Sequence, residues 1–419
     1  MHHYTGILKS RPFSVQMLAG LILAVSLLGV VANIQVASAR VITVPDDFLT
    51  IQGAINDASD GDSVVVRTGI YHEHIVVNKT VSLVGEDVST TIIDGSGIGH
   101  VVIITSDDVN MTGFTVRNSG TAYHITGINL NNVNHCNVSG NIITNNEHGL
   151  EIHNYSYYNT ISGNNMTENN KWGMHIIDSH YNNVSGNVIG GSIWGSIAIH
   201  GFSTHNRIFE NNVGNNDNGG ISIDGSEYND IYENNIANNL WGISVQYGSE
   251  YNAISCNNIA NNNYGIKLES NTYANKFYHN NFVNNTFRAS IVGYNHVNSW
   301  DDGYPSGGNY WSDYGGVDLF SGPFQNVTES DGIGDNPYII DANNVDHFPL
   351  MVPYNPSPIS GDLNVDGFVD IFDIVIVALE FGHPPPPIED TRADVNKDGI
   401  VDIFDIAIVA IHFGESGFS

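Results

Sequence analysis

The chain has 419 residues, and its 44 acidic side chains against 13 lysines and arginines give a formal net charge of −31. A surface of this charge repels nucleic acid and anionic membranes, so neither is an expected partner, whereas divalent cations are. The length is enough for two or three domains.

Residues 1–39 have the parts of an export signal. Lys9 and Arg11 precede an apolar run at 17–32, and the small residues that a signal peptidase needs follow at 36–39. We therefore expect a signal peptide and a secreted protein, extracellular or held at the cell surface. An uncleaved membrane anchor is the alternative, although the apolar run is a little short for a membrane span.

A short amphipathic helix is predicted between Pro45 and Gly61. Its apolar face consists of Phe48, Ile51, Ala54 and Ile55. We expect this helix to cap the first coil of the repeats that follow, because an uncovered strand edge would pair with other chains.

The segment 132–282 is a repeat array with a period of about 23 residues. Successive units begin at Gly140, Gly163, Gly186, Glu210, Glu233 and Cys256. Each unit has three short groups of alternating β-branched residues separated by Asn and Gly, which predicts three strands joined by tight turns. Stacked units of this kind form a parallel β-helix, and parallel crossovers favour the right-handed form.

Recurrent asparagines occupy the turns between these groups. An Asn in the same turn of every coil tolerates left-handed backbone, and its side chain can hydrogen-bond the Asn of the next coil. Cys136 and Cys256 lie about five coils apart, on the order of 24 Å, so we predict that both are unpaired.

The chain resembles two groups of β-helix proteins over roughly residues 41–350. Gly61-Asp62 and Gly69-Ile70-Tyr71 around the early strands resemble the N-terminal part of pectin-lyase-like proteins, and the repeats resemble the NosD-type family. NosD relatives are associated with copper supply. Because the histidines are scattered along the sequence and methionine is scarce, we do not expect copper here.

One apolar group of each unit follows a glycine, the anchor glycine of that unit. Two sets of outward-facing side chains are predicted on the strand that contains it. Immediately before the glycines stand His148, Trp172, Trp194, Gly219, Trp241 and Tyr264. The rings Trp172, Trp194, Trp241 and Tyr264 are candidates for stacking on sugars, unless they only stack on one another. At the end of the strands stand Asn131, His153, Asp178, His200, Asp224, Gln246 and Glu269.

The acids Asp178, Asp224 and Glu269 in the second set are the candidate catalytic residues. A glycosidase needs two carboxylates, and residues two coils apart are separated by roughly 9.5 Å, at the upper edge of the range for inverting enzymes. A solvated polar stripe is the alternative. The Gly-His-Gly and Arg-Ile-Lys signatures of pectin-cleaving relatives are missing from the sequence, and basic residues are sparse.

Residues 296–352 lose the period and read as a C-terminal cap module. The run 331–335 (DGIGD) either binds calcium through its oxygens or forms an ion-free turn. Residues 353–360 (PYNPSPIS) form a proline-punctuated linker.

Two EF-hand-like loops, which begin at Asp362 and Asp394, occur near the end of the chain. Their predicted calcium ligands are Asp362, Asn364, Asp366, Phe368 (backbone carbonyl), Asp370 and Asp373 in the first loop, and Asp394, Asn396, Asp398, Ile400 (backbone carbonyl), Asp402 and Asp405 in the second. Position 12 is Asp where standard EF-hands have Glu. Each loop runs into an apolar helix, and no helix precedes it.

This duplicated loop and helix resembles a type I dockerin. The resemblance implies calcium-dependent folding and docking onto a cohesin-bearing scaffold protein. The partner-selecting positions 10 and 11 correspond to Ile371 and Phe372 in one half and to Ile403 and Phe404 in the other. Family members often carry smaller or hydroxyl residues there. A calcium-stabilised domain without a partner is the alternative.

The sequence thus predicts an all-β, right-handed parallel β-helix with a small α-helical, calcium-binding dockerin-like domain. The expected divisions are 1–39, 40–295 (β-helix with its N-terminal cap), 296–352, 353–360 and 361–419. The expected function is to present a carbohydrate-binding surface on a secreted protein that the dockerin attaches to a cohesin. The alternatives are a polysaccharide-degrading hydrolase or lyase and a purely structural surface protein.

Overall fold

Three parallel sheets, one strand from each per coil, wind into a right-handed β-helix of about 11 turns. The computed structural model describes residues 39–269, 271–293, 297–354, 363, 369, 371–381, 393, 395, 401–411 and 413. Contacts divide the chain into the units Met1–Arg40 and Val41–Ser419, and only residues 39 and 40 of the first unit are described. The predicted fold class is confirmed.

Each sheet is a stack of short strands in register. Among the described residues, sheet 1 has eleven strands: Val41–Val44, Ser63–Val66, Ser82–Gly85, Asn110–Thr112, Asn137–Ser139, Thr160–Ser162, Asn183–Ser185, Arg207–Phe209, Asp230–Tyr232, Ala253–Ser255 and Lys276–Tyr278. Sheet 2 has ten in the same described ranges: Ile75–Val77, Val102–Ile104, Thr126–Asn131, His148–His153, Trp172–Ile177, Gly195–His200, Gly219–Asp224, Trp241–Gln246, Tyr264–Glu269 and Phe287–Val292. Sheet 3 has eleven, again counted over the described residues: Gly69–Tyr71, Thr91–Asp94, Thr115–Arg117, Ile142–Thr144, Asn165–Thr167, Val188–Gly190, Asn212–Gly214, Asn235–Ala237, Asn258–Ala260, Asn281–Val283 and Tyr310–Trp311.

The core is a set of apolar columns that run along the axis of the β-helix. In sheet 1, for example, Val184, Ile208 and Ile231 lie in register on successive strands, and all three are fully buried. Burying one such side chain contributes roughly 1.5–3 kcal/mol, so the stacking of coils supplies most of the driving force.

Buried asparagines form ladders at the turns, as the repeats predicted. The longest runs through Asn141, Asn164, Asn187, Asn211, Asn234, Asn257, Asn280 and Asn309. From Asn164 onward, each side-chain oxygen accepts hydrogen bonds from the backbone N–H and the side-chain amide of the preceding Asn. At this turn the left-handed backbone belongs to the residue before the ladder Asn, for example Gly186 or Glu210. At the turn before sheet 2 asparagines themselves have left-handed backbone, as predicted, for example Asn215, Asn238 and Asn261.

The N-terminal cap is the helix α1 (Ile51–Asp57), as predicted. Thr50 caps it, since its hydroxyl accepts a hydrogen bond from the N–H of Gly53 at 3.1 Å. Ile51, Ala54 and Ile55 are buried against the first coils, so the helix covers the apolar end of the core.

At the other end, stacked aromatic rings continue the same core. Trp300 stacks on Phe277 with ring centroids 4.4 Å apart, and Trp311 stacks on Phe282 at 4.2 Å. Described residues beyond the last coil form two antiparallel pairs, Phe320–Ser321 with Val327–Thr328 and Tyr338–Ile339 with Val345–Asp346. Tyr338 packs on Trp311, which closes the core against solvent.

The described residues of the C-terminal segment include two helices, α2 (Ile371–Glu380) and α3 (Ile403–Ile411). They pack on each other around a small apolar core of their own, which includes Val377 and Val409. Within the described residues, no helix is long and apolar enough to cross a membrane.

Candidate functional site on sheet 2 and in the C-terminal repeats

The outer face of sheet 2 carries three columns of side chains in register. The first contains Thr126, His148, Trp172, Gly195, Gly219, Trp241, Tyr264 and Phe287. The middle contains Ile103, Asn129, Glu151, His175, Ala198, Ser222, Ser244, Lys267 and Ser290. The last contains Asn131, His153, Ile177, His200, Asp224, Gln246 and Glu269. Because neighbouring strands are about 4.8 Å apart, adjacent members of a column are in contact range.

The placement of Asp178 in the last column was wrong. Ile177 pairs with His200 and so occupies that column, while Asp178 lies one residue further, in the turn, with a left-handed φ of 46°. The next coils have Gly201 and Gly225 in left-handed turns at the corresponding point. The strand in this coil therefore ends one residue before the acid, and Asp178 does not share a column with Asp224 on this face.

Trp194 was also placed wrongly, by one residue. Gly195, not Trp194, pairs with Trp172, and the backbone N–H of Trp194 donates to the carbonyl of Lys171. The sequence prediction placed Gly195 beside the glycine of the preceding unit. In the structure the register partner of Gly195 is the tryptophan before that glycine, Trp172. Trp194 therefore projects beside the first column, where 36% of its surface is exposed.

The aromatic rings of the first column mainly stack on one another. Trp241 and Tyr264 are 4.4 Å apart and nearly parallel, and Tyr264 and Phe287 are 4.9 Å apart. Lys267 lies over Trp241 with its Nζ 4.7 Å from the ring centroid. Most ring faces are thus occupied, so a sugar on this column would meet ring edges and the ends of the stack. The ring of Trp172 instead contacts the rings of His175 and His200, with centroids 5.3 and 6.1 Å apart.

Each of the two candidate acids that remain on the face lies close to a nitrogen of a neighbouring side chain. Asp224 Oδ2 lies 2.9 Å from His200 Nε2, and Glu269 Oε2 lies 2.7 Å from Lys267 Nζ. Gln246 separates the two acids in the column and donates to the hydroxyl of Ser244 at 2.6 Å. Asp224 and Glu269 are two strands apart, which corresponds to roughly 9.5 Å, at the upper edge of the range for inverting glycosidases.

Three histidines and a glutamate meet on the same face, in the coils before Asp224. Glu151 Oε2 lies 3.2 Å from Nδ1 of His124 and 3.8 Å from Nδ1 of His175. The ring centroid of His148 lies 6.0 Å from that of His124 and 5.1 Å from that of His175, and those of His124 and His175 are 6.2 Å apart, so the three rings form a triangle. Among the described residues, His124, Glu151 and His175 are the one group of three or more His, Cys, Asp or Glu with ligand atoms close enough, all within 4.8 Å, to hold a metal ion.

Burial sets the protonation of this cluster. Burial alone would raise the pKa of Glu151, but its interactions with His175 and His124 lower that pKa to about 2. Burial lowers the pKa of His148 to about 3, and it also lowers the pKa of His175. At neutral pH the cluster therefore holds an ionised carboxylate and neutral buried imidazoles at 148 and 175, the protonation states in which these groups bind metals.

The sequence analysis missed this cluster because it looked for ligands that are close in sequence. Glu151 and His175 are register partners on neighbouring strands, so their separation along the chain is one coil length. His124 instead lies in the turn before Thr126, and Thr126 is the register partner of His148. The repeat length was therefore a signal for the Glu151–His175 pair, whereas the position of His124 depends on its turn.

Part of the predicted calcium site lies in the described C-terminal residues. Asp373 and Asp405, at position 12 of each loop, are fully buried. Asp373 Oδ1 accepts a hydrogen bond from the N–H of Leu363 at 2.6 Å, and Asp405 Oδ2 accepts one from the N–H of Asp402 at 2.9 Å. Both carboxylates thus turn back onto their own loops.

Other predicted residues of this segment lie outside the described residues. They are Asp362, Asn364, Asp366, Phe368, Asp370, Asp394, Asn396, Asp398 and Ile400, and the side chains of Ile371 and Phe372 belong with them. Ile403 and Phe404 are described, and 58% and 65% of their surfaces are exposed. Two large apolar side chains are therefore available to a partner at the start of α3.

The acids at 331–335 already accept hydrogen bonds from backbone N–H groups of the protein. Asp335 accepts hydrogen bonds from the N–H groups of Leu319 and Phe320, and Asp331 accepts one from Ile333. These contacts fit the ion-free turn, and calcium at this place stays a prediction.

A β-helix followed by a duplicated loop and helix defines a class of modular protein, and two family models identify its parts. Residues 55–239 and 194–316, together more than half of the chain, match the family described as periplasmic copper-binding protein (NosD). Residues 360–413 match the dockerin type I domain. The chain belongs to the NosD family and carries a type I dockerin domain, as the sequence analysis predicted.

Several solved structures resemble the β-helix at low sequence identity. Alginate lyase from Paenibacillus sp. str. FPU-7 superposes with a TM-score of 0.47 at 17% identity, over 65% of this chain and 98% of that one. The mannuronan C-5 epimerase AlgE4 A-module from Azotobacter vinelandii gives 0.41 at 15%, over 61% and 96%. Pectate lyase Pel9A gives 0.40 at 12%, over 64% and 81%. The likeness concerns the fold alone. No curated protein sequence matches the chain.

Proposed function

We propose that this is a secreted polysaccharide-binding protein that its dockerin attaches, with calcium, to a cohesin-bearing partner. The match to the dockerin type I domain is the observation that supports this attachment, because domains of this class bind calcium and dock onto cohesins. The exposed side chains of Ile403 and Phe404 support an apolar contact with that partner. The duplicated pair at 371 and 372 would let either half dock.

The polysaccharide would lie along the outer face of sheet 2. From Trp172 to Glu269 this face presents hydroxyl, amide, carboxylate and ammonium groups at strand spacing, beside the edges of aromatic rings. Sugars combine apolar C–H surfaces with hydroxyl groups, so they suit a surface of rings and short polar side chains.

The test is a binding and cleavage assay on the full chain in calcium. Neutral and acidic polysaccharides are incubated with the protein, and retention is measured together with new reducing or unsaturated ends. Retention without new ends supports the proposal. Asp224→Asn should weaken retention severalfold, whereas Asp230→Asn, an exposed acid of the same coil on sheet 1, should leave it unchanged. Absence of retention on every polysaccharide would contradict the carbohydrate-binding role.

A polysaccharide hydrolase is the second candidate, and the His200–Asp224 pair favours it. An imidazole 2.9 Å from a carboxylate, beside the ring of Trp172, is an arrangement that can exchange a proton with a bound substrate. In the same assay a hydrolase would release new ends, and Asp224→Asn would abolish them without unfolding the protein.

A further inference from the structure

The cluster of His124, His148, Glu151 and His175 has the spacing of a metal site. Two donor atoms on one tetrahedral zinc ion lie roughly 3.3 Å apart, because each bond is about 2.0–2.1 Å long. The Glu151 oxygen is 3.2 Å from one imidazole nitrogen and 3.8 Å from the other, and the three ligand atoms all fall within 4.8 Å. Small rotations of the side chains would bring these atoms onto one ion.

A second observation points to a ligand. Among the described residues, neither ring nitrogen of His148 and neither of His175 has a hydrogen-bond partner, although all four atoms are buried. Buried polar groups are nearly always paired, and one left unpaired costs about 1–3 kcal/mol. Two neighbouring imidazoles without partners therefore carry a large free-energy cost. A bound metal ion would remove it, because an imidazole nitrogen is a metal ligand.

The site is closed on the protein side and open at one point. Only 2% of the His175 side chain and 4% of the Glu151 side chain are exposed, compared with 43% of His124. Tyr123 contacts His124 edge to face at 4.0 Å, and Trp194 contacts His148 at 6.2 Å. An ion would reach the cluster past His124, and the aromatic rings would keep bulk water from the deeper ligands.

The donor types determine which ion fits. Calcium and magnesium bind oxygen ligands, whereas two or three imidazoles with one carboxylate suit a first-row transition metal such as zinc. We propose that His124, Glu151 and His175 bind one zinc-type divalent metal ion on the outer face of sheet 2, with His148 as a further ligand. This site is separate from the calcium loops, and it does not depend on the proposed binding of polysaccharide.

The experiment measures zinc binding to the full chain, prepared without a polyhistidine tag and kept in excess calcium so that the dockerin loops are occupied. Isothermal titration with Zn²⁺ gives the affinity, and Co²⁺ supplies visible absorption bands that report on the coordination. We expect one tight ion per chain. The matched control is His205→Ala, because His205 stacks between Tyr181 and Tyr228 at a distant corner of the β-helix.

His124→Ala is the informative variant, since its half-exposed side chain can be removed without disturbing the core. Zinc affinity should fall by about 10–100-fold or more, because changes outside the ligand set already cause a loss of that size. Glu151→Gln should cause a similar loss and should change the Co²⁺ spectrum. His205→Ala should bind zinc as the natural chain does. Equal zinc affinity in the His124→Ala variant, or no zinc binding by a folded natural chain, would overturn the proposal.

Discussion

The buried asparagine ladder allows a quantitative prediction for Asn211→Ala. The Asn211 oxygen accepts hydrogen bonds from the backbone N–H and the side-chain amide of Asn187, at 3.0 and 2.9 Å. Only 1% of Asn211 is exposed, so water cannot replace these bonds. Each buried donor left without a partner costs about 1–3 kcal/mol, so the two orphaned donors should lower the free energy of unfolding by roughly 2–6 kcal/mol.

Asn235→Ala is the matched control for this prediction. Asn235 lies one coil later, and its amide donates to Asn212 at 3.1 Å in an exposed ladder on sheet 3. Water can take over these hydrogen bonds, so the variant should lose less than about 0.5 kcal/mol. Denaturant unfolding compares the two variants, and hydrogen exchange at the Asn187 amide locates the effect. Equal losses in the two variants would show that burial of the ladder does not decide its contribution.

Three further predictions concern the C-terminal part of the chain and its partner. Removal of calcium with a chelator should unfold the dockerin segment and abolish cohesin binding while the β-sheet signal in circular dichroism persists. Phe404→Ala alone should reduce cohesin affinity by only about twofold, because the second half can dock instead, whereas Phe404→Ala with Phe372→Ala should abolish binding in a pull-down. Burial raises the pKa of Asp346 from 3.8 to about 7, so its contribution to stability is full below pH 3.8 and is lost as the pH rises through 7, at up to about 1.4 kcal/mol per pH unit. Asp346→Asn should flatten the pH dependence of the denaturation midpoint over that range, and an unchanged slope would contradict the assignment.

The fold was predictable because the repeat is strict where packing requires it. Inward positions such as Ile208 and Ile231 alternate with outward ones in every coil, and a one-residue slip would expose them, so the period and the apolar pattern determine the coil. The helix α1 and its apolar face could likewise be read from local signals.

The positions of outward side chains were less predictable because solvent imposes no such constraint. The sequence repeats place Gly195 at the position of Gly173, whereas the strands pair it with Trp172. This coil is one residue longer than the preceding one, and its additional residue lies after the strand, near the exposed Phe202. A shift of one residue changes which side chains share a column. It moved Trp194 out of the aromatic column and Asp178 out of the polar one.

The register also explains why the outer face of sheet 2 has two distinct regions. Its later coils combine stacked rings with the contacts of Asp224 to His200 and of Glu269 to Lys267. Its earlier coils instead gather imidazoles around Glu151, and two of these imidazoles have no hydrogen-bond partner within the described part of the chain. A repeat protein can give each coil a different outward residue without changing the core, because the inward positions alone maintain the stack. Binding of a polymer and binding of a metal ion can therefore be tested by separate variants, His124→Ala for the ion and Asp224→Asn for the polymer, and each should leave the other activity intact.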